Sequence, residues 1–250
     1  MCVPFGKILR GKVVPNTVTK TLHTDKVYEP ELDSYAIEAF PYYSPLESQI
    51  KTIRSFDRPV ILVDDLVHTA NRLQVLVPQL REDGIPIKKV VVGVLSGYGR
   101  DLMQCLKVPV ESIYSMPNLR QWFVESTLYP FIGGDTVRRE EMKVAGLQPS
   151  INMILPYATP RLSGCSREAL VEFSACCIEN SRDLFQVLEA EYRKMYAKNL
   201  TLSRLSEAVI LPLCPDKGSC MEYDENLAAS VYLENDLETL WRMKEFLIKG

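Results

Sequence analysis

Apolar residues along this chain fall into two kinds of run. Val60-Ile61-Leu62-Val63 and Val90-Val91-Val92-Gly93-Val94-Leu95 are short, rich in β-branched residues and without alternation. That pattern predicts strands buried on both faces, as in a parallel α/β sheet. Between them Leu73, Leu76, Val77 and Leu80 recur at three- and four-residue steps, which predicts a helix over 72–81. Pro78 falls inside it and predicts a kink or an early end. A helix starting over 102–106 and a short strand over 112–115 extend the alternation, which favours a parallel sheet. Upstream, 7–14 reads as a strand, 15–29 as a polar, Thr-rich loop, 35–40 as a short alternating strand, and 50–53 as a short helix or strand.

From residue 122 to 160 the pattern turns irregular, because Pro130, Gly133-Gly134, Gly146, Pro149, Pro156 and Pro160 break any long element. A long helix is predicted over 166–198, with Ser166 as its N-cap. Its apolar face reads Leu170, Phe173, Cys177, Ser181, Leu184, Leu188, Tyr192 and Met195. A short helix over 201–208 and a brief apolar segment over 209–213 follow, and Leu237, Leu240, Trp241, Lys244, Leu247 and Ile248 mark a final amphipathic helix. The expected organisation is an α/β domain over 1–150 and a mostly helical region over 151–250.

Composition narrows the function. With 250 residues, 46% hydrophobic and 24% charged, the chain is long enough for one large domain or two ordinary ones. A net charge of −3 gives no push toward nucleic acid or an anionic membrane. No apolar run approaches the roughly 18 residues of a membrane span. The start, Met-Cys-Val-Pro-Phe-Gly-Lys, lacks a signal peptide's apolar core, so the cytoplasm is the expected location. Seven cysteines at irregular spacing, no C-x-x-C and only two histidines, His23 and His68, argue against a protein-held metal site. Cys176 and Cys177 are expected as small core residues of the long helix, and Cys214 and Cys220 as reduced thiols flanking a turn.

The candidate chemistry sits where the first buried run ends. Leu62-Val63-Asp64-Asp65-Leu66-Val67-His68-Thr69-Ala70-Asn71 carries two adjacent carboxylates into a short polar turn, and the predicted helix starts at once. Open α/β sheets bind ligands at the carboxyl ends of their strands. A helix N-terminus offers free N–H groups and partial positive charge to a phosphate. Acids beside such a cradle fit a ligand with both hydroxyls and phosphate. A plain reading remains open beside this one, with Asp64 and Asp65 merely capping the turn. A receiver-domain reading fails, because the next apolar run ends in Ser96-Gly97 rather than in a phospho-accepting Asp.

This segment resembles the ribose-phosphate motif of the type I phosphoribosyltransferases: an apolar strand, two acids, two apolar residues, and a loop reading roughly Thr-Thr-Gly-x-Thr. Val60 to Val63 match the strand, Asp64 and Asp65 the acids, Leu66 and Val67 the apolar pair, and Thr69 the second loop Thr. The resemblance implies a phosphoribosyltransferase-like parallel-sheet fold. It also implies a ribose-phosphate diphosphate ligand carrying Mg²⁺, and transfer of the phosphoribosyl group to or from a nitrogenous base. Asp64 and Asp65 would hold the ribose hydroxyls, and Thr69, Ala70, Asn71 and Arg72 would cradle the 5′-phosphate. The loop over 15–29 matches the family's mobile lid, with Arg10, Lys12, Lys20 and Lys26 near it to neutralise pyrophosphate or, equally, as solvated surface cations. A homodimer, or a partner chain completing the fold, is the expected assembly.

Three loop positions depart from the family: His68 for the first Thr, Ala70 for the Gly, and Arg72 for the last Thr. Ala70 adds a methyl group where close approach to phosphate favours glycine. Arg72 fits a bidentate phosphate clamp or a solvent-facing helix residue. His68 stands where the purine-salvage branch has a proton-handling Asp, so it reads as a general base or as a loop histidine bonded to the backbone. The 63 residues before the acid pair are fewer than the family usually has, and the part that grips the acceptor is missing or replaced. Two rivals follow: a catalytically degenerate nucleotide sensor or regulatory subunit, and an interaction protein that docks through its helical region.

Overall fold

Both unbroken apolar runs form strands, and they lie next to each other. The computed structural model describes residues 1–6, 14–40, 43–69, 71–138, 148–160, 162, 164–205, 210–212 and 223–249. The chain divides into two units, Met1–Lys26 with Ala36–Trp122, and Val27–Tyr35 with Phe123–Gly250. The irregular stretch that the sequence divides at 150 thus falls in the second unit from Phe123 onward.

In chain order the elements begin with β1 (Cys2–Pro4), β2 (Thr24–Tyr28), β3 (Tyr35–Ala39), α1 (Leu46–Arg54) and β4 (Val60–Val67). They continue with α2 (Asn71–Glu82), β5 (Ile87–Ser96), α3 (Gly97–Cys105) and β6 (Val110–Met116). In the first unit β1, β4, β5 and β6 form an all-parallel sheet in that order. The α/β expectation holds here, with α2 and α3 making the two crossovers.

Burial on both faces does not hold. Val60 and Leu62 are fully buried, while Ile61 and Val63 are half-buried. One sheet face shares a core with Ile50, Ile53, Leu73, Leu76, Val77, Leu80 and Met103 of the helices. The other face is more open, and on β6 Ile113 is 74% exposed. Each fully buried Leu or Val contributes about 1.5–3 kcal/mol, so the helix-covered face dominates the sheet's stability.

Several local differences have physical causes. α2 runs through Pro78 to Glu82. Pro78 sits on the exposed face, where water can satisfy the Gln74 carbonyl that lacks its donor, and Leu73, Leu76, Val77 and Leu80 hold the helix to the core. Residues 50–53 fall in a helix, α1, with Ile50 and Ile53 inward. α3 begins at Gly97, five residues before the expected start at 102. Ser96 caps it, its Oγ accepting from Gly99 N at 2.9 Å.

The predicted loop over 15–29 holds as far as His23, apart from isolated bridges at Thr19 and Leu22, and then becomes a strand. Cys2 N donates to Val18 O at 2.8 Å, Lys20 N to Cys2 O at 3.0 Å and Leu22 N to Pro4 O at 3.0 Å. Leu22 is fully buried, and Thr24–Tyr28 is β2. The strand expected over 7–14 lies, but for Val14, outside the described residues.

The second unit contains β7 (Asp135–Val137), β8 (Gln148–Ile151), α4 (Arg167–Tyr196), α5 (Leu202–Leu205), β9 (Ile210–Pro212) and α6 (Ala229–Lys249). The short strands make a mixed sheet: β7 pairs antiparallel with β8, and β9 pairs parallel with β8. β2 joins it through Val27 and Tyr28, parallel to Thr136 and Val137 of β7. Strands of three or four residues carry too little periodicity to read in sequence. The region after 151 is mostly helical, as expected, and α4 and α6 supply most of its core.

The face of α4 differs from the predicted one. Leu170, Val171, Ser174, Ala175, Ile178, Ser181 and Phe185 are inward, whereas Leu184 and Leu188 are 45% and 44% exposed. Small residues at 174, 175 and 181 admit close packing, which an apolar count does not reveal. Of the two mid-helix cysteines Cys177 is buried and Cys176 exposed, since neighbours on a helix point about 100° apart. Cys214 and Cys220 lie outside the described residues. Among the described residues no helix is long and apolar enough to cross a membrane.

Candidate functional site

The sheet register sets the site. Asp64 pairs with Val92 and Val67 with Leu95, so β4 and β5 end side by side. Their carboxyl ends lie together, His68 and Thr69 following β4 and Ser96 leading into α3. The sequence pattern foresaw the first turn and its acids; the second comes from the parallel pairing.

Asp64 lies on the core-facing side of β4 and is 7% exposed. Arg72, the second residue of α2, reaches back to it with Nη1 3.1 Å from Oδ1 and 3.2 Å from Oδ2. The Asp65 backbone N–H also donates to Asp64 Oδ1 at 3.1 Å. Burial pushes the Asp64 carboxyl up to about 7; the Arg72 charge opposes that shift and the Asp65 charge adds to it. The guanidinium stands over the ring of Phe5, with Cζ 5.2 Å from its centroid. Phe5 is buried just beyond β1, its N–H donating to Val63 O at 3.1 Å.

Asp65 points the other way and is exposed, with Oδ1 accepting from Leu66 N at 2.8 Å. The two acids therefore differ: one is buried and ion-paired, the other open to a ligand. Neighbours on a strand face opposite sides, yet the Asp65 side chain still shares a hydrogen bond with the Asp64 carboxyl.

His68 is half-buried, with Nδ1 2.9 Å from Ser96 Oγ. Ser96 is fully buried and already accepts from Gly99 N, so its hydroxyl is held in place and holds the imidazole in turn. The ring edge also meets Tyr98, centroids 6.2 Å apart. Thr69 is exposed, its carbonyl accepting from Gln74 Nε2 at 2.8 Å, which closes the turn onto α2. Asn71 opens that helix and is half-buried. Ala70 lies outside the described residues, as do Arg10 and Lys12.

Lys20 is exposed and lies near His23, whose pKa is lowered by burial and then by the Lys20 charge. Lys26 lies within β2. Lys20 N also donates to Cys2 O at 3.0 Å.

Sequence reasoning did not single out Ser96 or Phe5. Ser96 carried a signal, a hydroxyl at the end of a buried strand three residues before a backbone N–H it can cap. Phe5 carried none, because its role depends on β1 lying beside β4. Gly99 makes the junction possible: a Cβ there would stand 2.3 Å from Val67 O, so α3 comes this close to β4 only with glycine. Among the described residues no three His, Cys, Asp or Glu side chains gather as a metal site. No family model matches the chain, and no curated protein does.

Proposed function

We propose that this chain binds a ribose-phosphate diphosphate at the carboxyl ends of β4 and β5, and transfers the phosphoribosyl group to or from a nitrogenous base. The observation that carries this reading is the placement of the motif. Asp64 and Asp65 lie in the last half of a parallel-sheet strand that ends two residues later at Val67, and the chain turns within a few residues into the N-terminus of a twelve-residue helix. Exposed Asp65 is the group available to ribose hydroxyls. Thr69 and the first N–H groups of α2 face the same turn and suit a phosphate.

In the forward direction the bond from ribose C1′ to the diphosphate oxygen breaks and a bond from C1′ to the base nitrogen forms. Diphosphate leaves with the bonding pair, and the base nitrogen gives up its proton. Mg²⁺ arriving on the diphosphate makes it a better leaving group. His68 is positioned to take the proton: Ser96 holds Nδ1, which leaves Nε2 for the incoming base.

A second reading is favoured by a separate observation. Arg72 neutralises Asp64 in the unliganded chain, so one of the two ribose carboxylates is engaged internally. A chain that binds the ligand to sense it, without turnover, fits that arrangement.

Calorimetry with the ribose-phosphate diphosphate and Mg²⁺, followed by a diphosphate-release assay with a panel of bases, separates the readings. Binding with base-dependent release is the expected result. Binding without release with any base supports the sensor. Failure to bind sinks both.

A further inference from the structure

β6 lies at the edge of the parallel sheet, hydrogen-bonded to β5 on one side. Ile113 on one sheet face is 74% exposed, Tyr114 and Met116 on the other are 66% and 47% exposed, and among the described residues no strand pairs with the outer edge of β6. Long, apolar, unprotected edges invite pairing with another strand, and proteins that stay monomeric normally blunt them.

The hydrogen bonding shows which groups are free. Val90 N donates to Pro109 O at 2.8 Å, and Val90 sits opposite Val110. In a parallel ladder this turns the backbone groups of Pro109, Glu111, Ile113 and Ser115 toward β5. Those of Val110, Ser112, Tyr114 and Met116 therefore point outward, with the Met116 carbonyl already accepting from Leu119 N at 3.1 Å and its N–H left to pair.

We propose that β6 pairs antiparallel with β6 of a second copy of this chain, around a twofold axis through Ile113. That register places Ser112 opposite Tyr114 and Val110 opposite Met116 as hydrogen-bonded pairs, using the outward groups. Ile113 meets its own copy, and Glu111 meets Ser115, as close non-hydrogen-bonded pairs.

Charge selects this register over its neighbours. Arg100 Nη2 donates to Ser115 Oγ at 2.8 Å, so a guanidinium stands beside Ser115. Glu111, on the same sheet face, is 64% exposed and reaches Lys89 at 2.7 Å within its own chain. With the axis at Ile113, the Glu111 carboxylate of each copy lies across from the second copy's Arg100, twice by symmetry. Shifting the axis to Ser112 or Tyr114 breaks both pairings. An isologous interface needs such self-complementarity.

Sedimentation velocity on the full chain, with amide exchange on β6, tests this. The expected result is a dimer in which the Ser112, Tyr114 and Met116 amides are protected. Ile113→Lys sets two ammonium groups against each other and should give a monomer with those amides exposed. At 74% exposure the substitution leaves the core untouched, and a single cooperative melting transition of the monomer, independent of its concentration, verifies folding. Glu111→Arg alone and Arg100→Glu alone should each weaken the dimer, and the double variant should restore it. A wild-type monomer overturns the proposal. Protected β6 amides in that monomer would show another part of the same chain on the edge, and exposed ones an edge that stays open. A dimer indifferent to Ile113→Lys and to the charge reversals also overturns it.

Discussion

Arg72 closes on Asp64 from the first turn of α2, its Nη1 within 3.1 and 3.2 Å of both carboxylate oxygens. Two residues read from the sequence as parts of a ligand cradle are, in the unliganded chain, partners of each other. The carboxylate is buried and the guanidinium only partly so, at 36% exposed, so Asp64 bears most of the desolvation cost.

That cost makes stability fall as pH rises. Asp64 has its carboxyl raised from 3.8 to about 7 in the folded chain, so the folded state holds an extra proton between those values. The contribution is fully present below the unfolded value and is lost as pH rises through about 7, by on the order of a few kcal/mol. His23, lowered mainly by burial, acts with the opposite sign near its own ordinary range. Comparison with a variant therefore isolates Asp64. Melting temperatures of Asp64→Asn between pH 4 and 8 should be flatter than those of the wild type. Parallel curves would mean that Asp64 is not the group responsible.

Gly99 fixes how near α3 lies to β4. A methyl group there would meet Val67 O at 2.3 Å and Val67 Cγ1 at 2.9 Å. Gly99→Ala should cost about 1–3 kcal/mol, as overpacking of a close junction does. Urea unfolding should show a lower midpoint at an unchanged slope. Alanine at Gln104, exposed on the same helix, should do almost nothing.

How far the sequence carried this structure depends on the range of the interaction. β4, α2 and β5 were legible because Val60 to Val63, Leu73 to Leu80 and Val90 to Leu95 repeat a local pattern. The capping of α4 by Ser166 was legible for the same reason, and its Oγ accepts from Ala169 N at 3.1 Å. Open burial on the second face of β4 was not legible, because an apolar run does not say whether a layer covers it. The strand at 24–28 was not legible because Thr and Lys read as loop, while its partner β7 lies far off in sequence. Asp64 and Asp65 were found together, but their opposite environments come from strand alternation against a core that only the fold defines. The Ser96 hydroxyl acquires its histidine through the β4–β5 register, 28 residues away.

Ser96 serves two neighbours, and its removal should separate them. Ser96→Ala deletes the N-cap of α3, worth roughly 1 kcal/mol, and frees the His68 ring. Denaturant unfolding should register the first loss. The second should appear as a shift in the His68 imidazole titration followed by NMR. Under the transferase reading, His68→Asn should lower kcat about a hundredfold with KM little changed, the scale of a lost general base. Equal falls in kcat and ligand affinity would instead give His68 a binding role.

The two acids should not be equivalent toward ligand. Asp64 is buried and held by Arg72, while Asp65 is exposed, its Oδ1 accepting from Leu66 N and its side chain sharing a hydrogen bond with the Asp64 carboxyl. Under the transferase reading a ribose hydroxyl meets the exposed Asp65 first. A hydrogen bond to a charged group is worth about 1.5–3 kcal/mol, so Asp65→Asn should weaken binding of the ribose-phosphate diphosphate about tenfold or more. Asp64→Asn should weaken it less, because its carboxylate is already neutralised and the amide can still accept from Arg72. Arg72→Gln tests the coupling from the other side. If Arg72 leaves Asp64 to meet the 5′-phosphate, Arg72→Gln should lower affinity for the diphosphate ligand but not for ribose without phosphate. Calorimetry on the three variants decides the order. A larger loss for Asp64→Asn than for Asp65→Asn would show that the ion pair opens on binding and that the buried carboxylate is the one that reads the ligand.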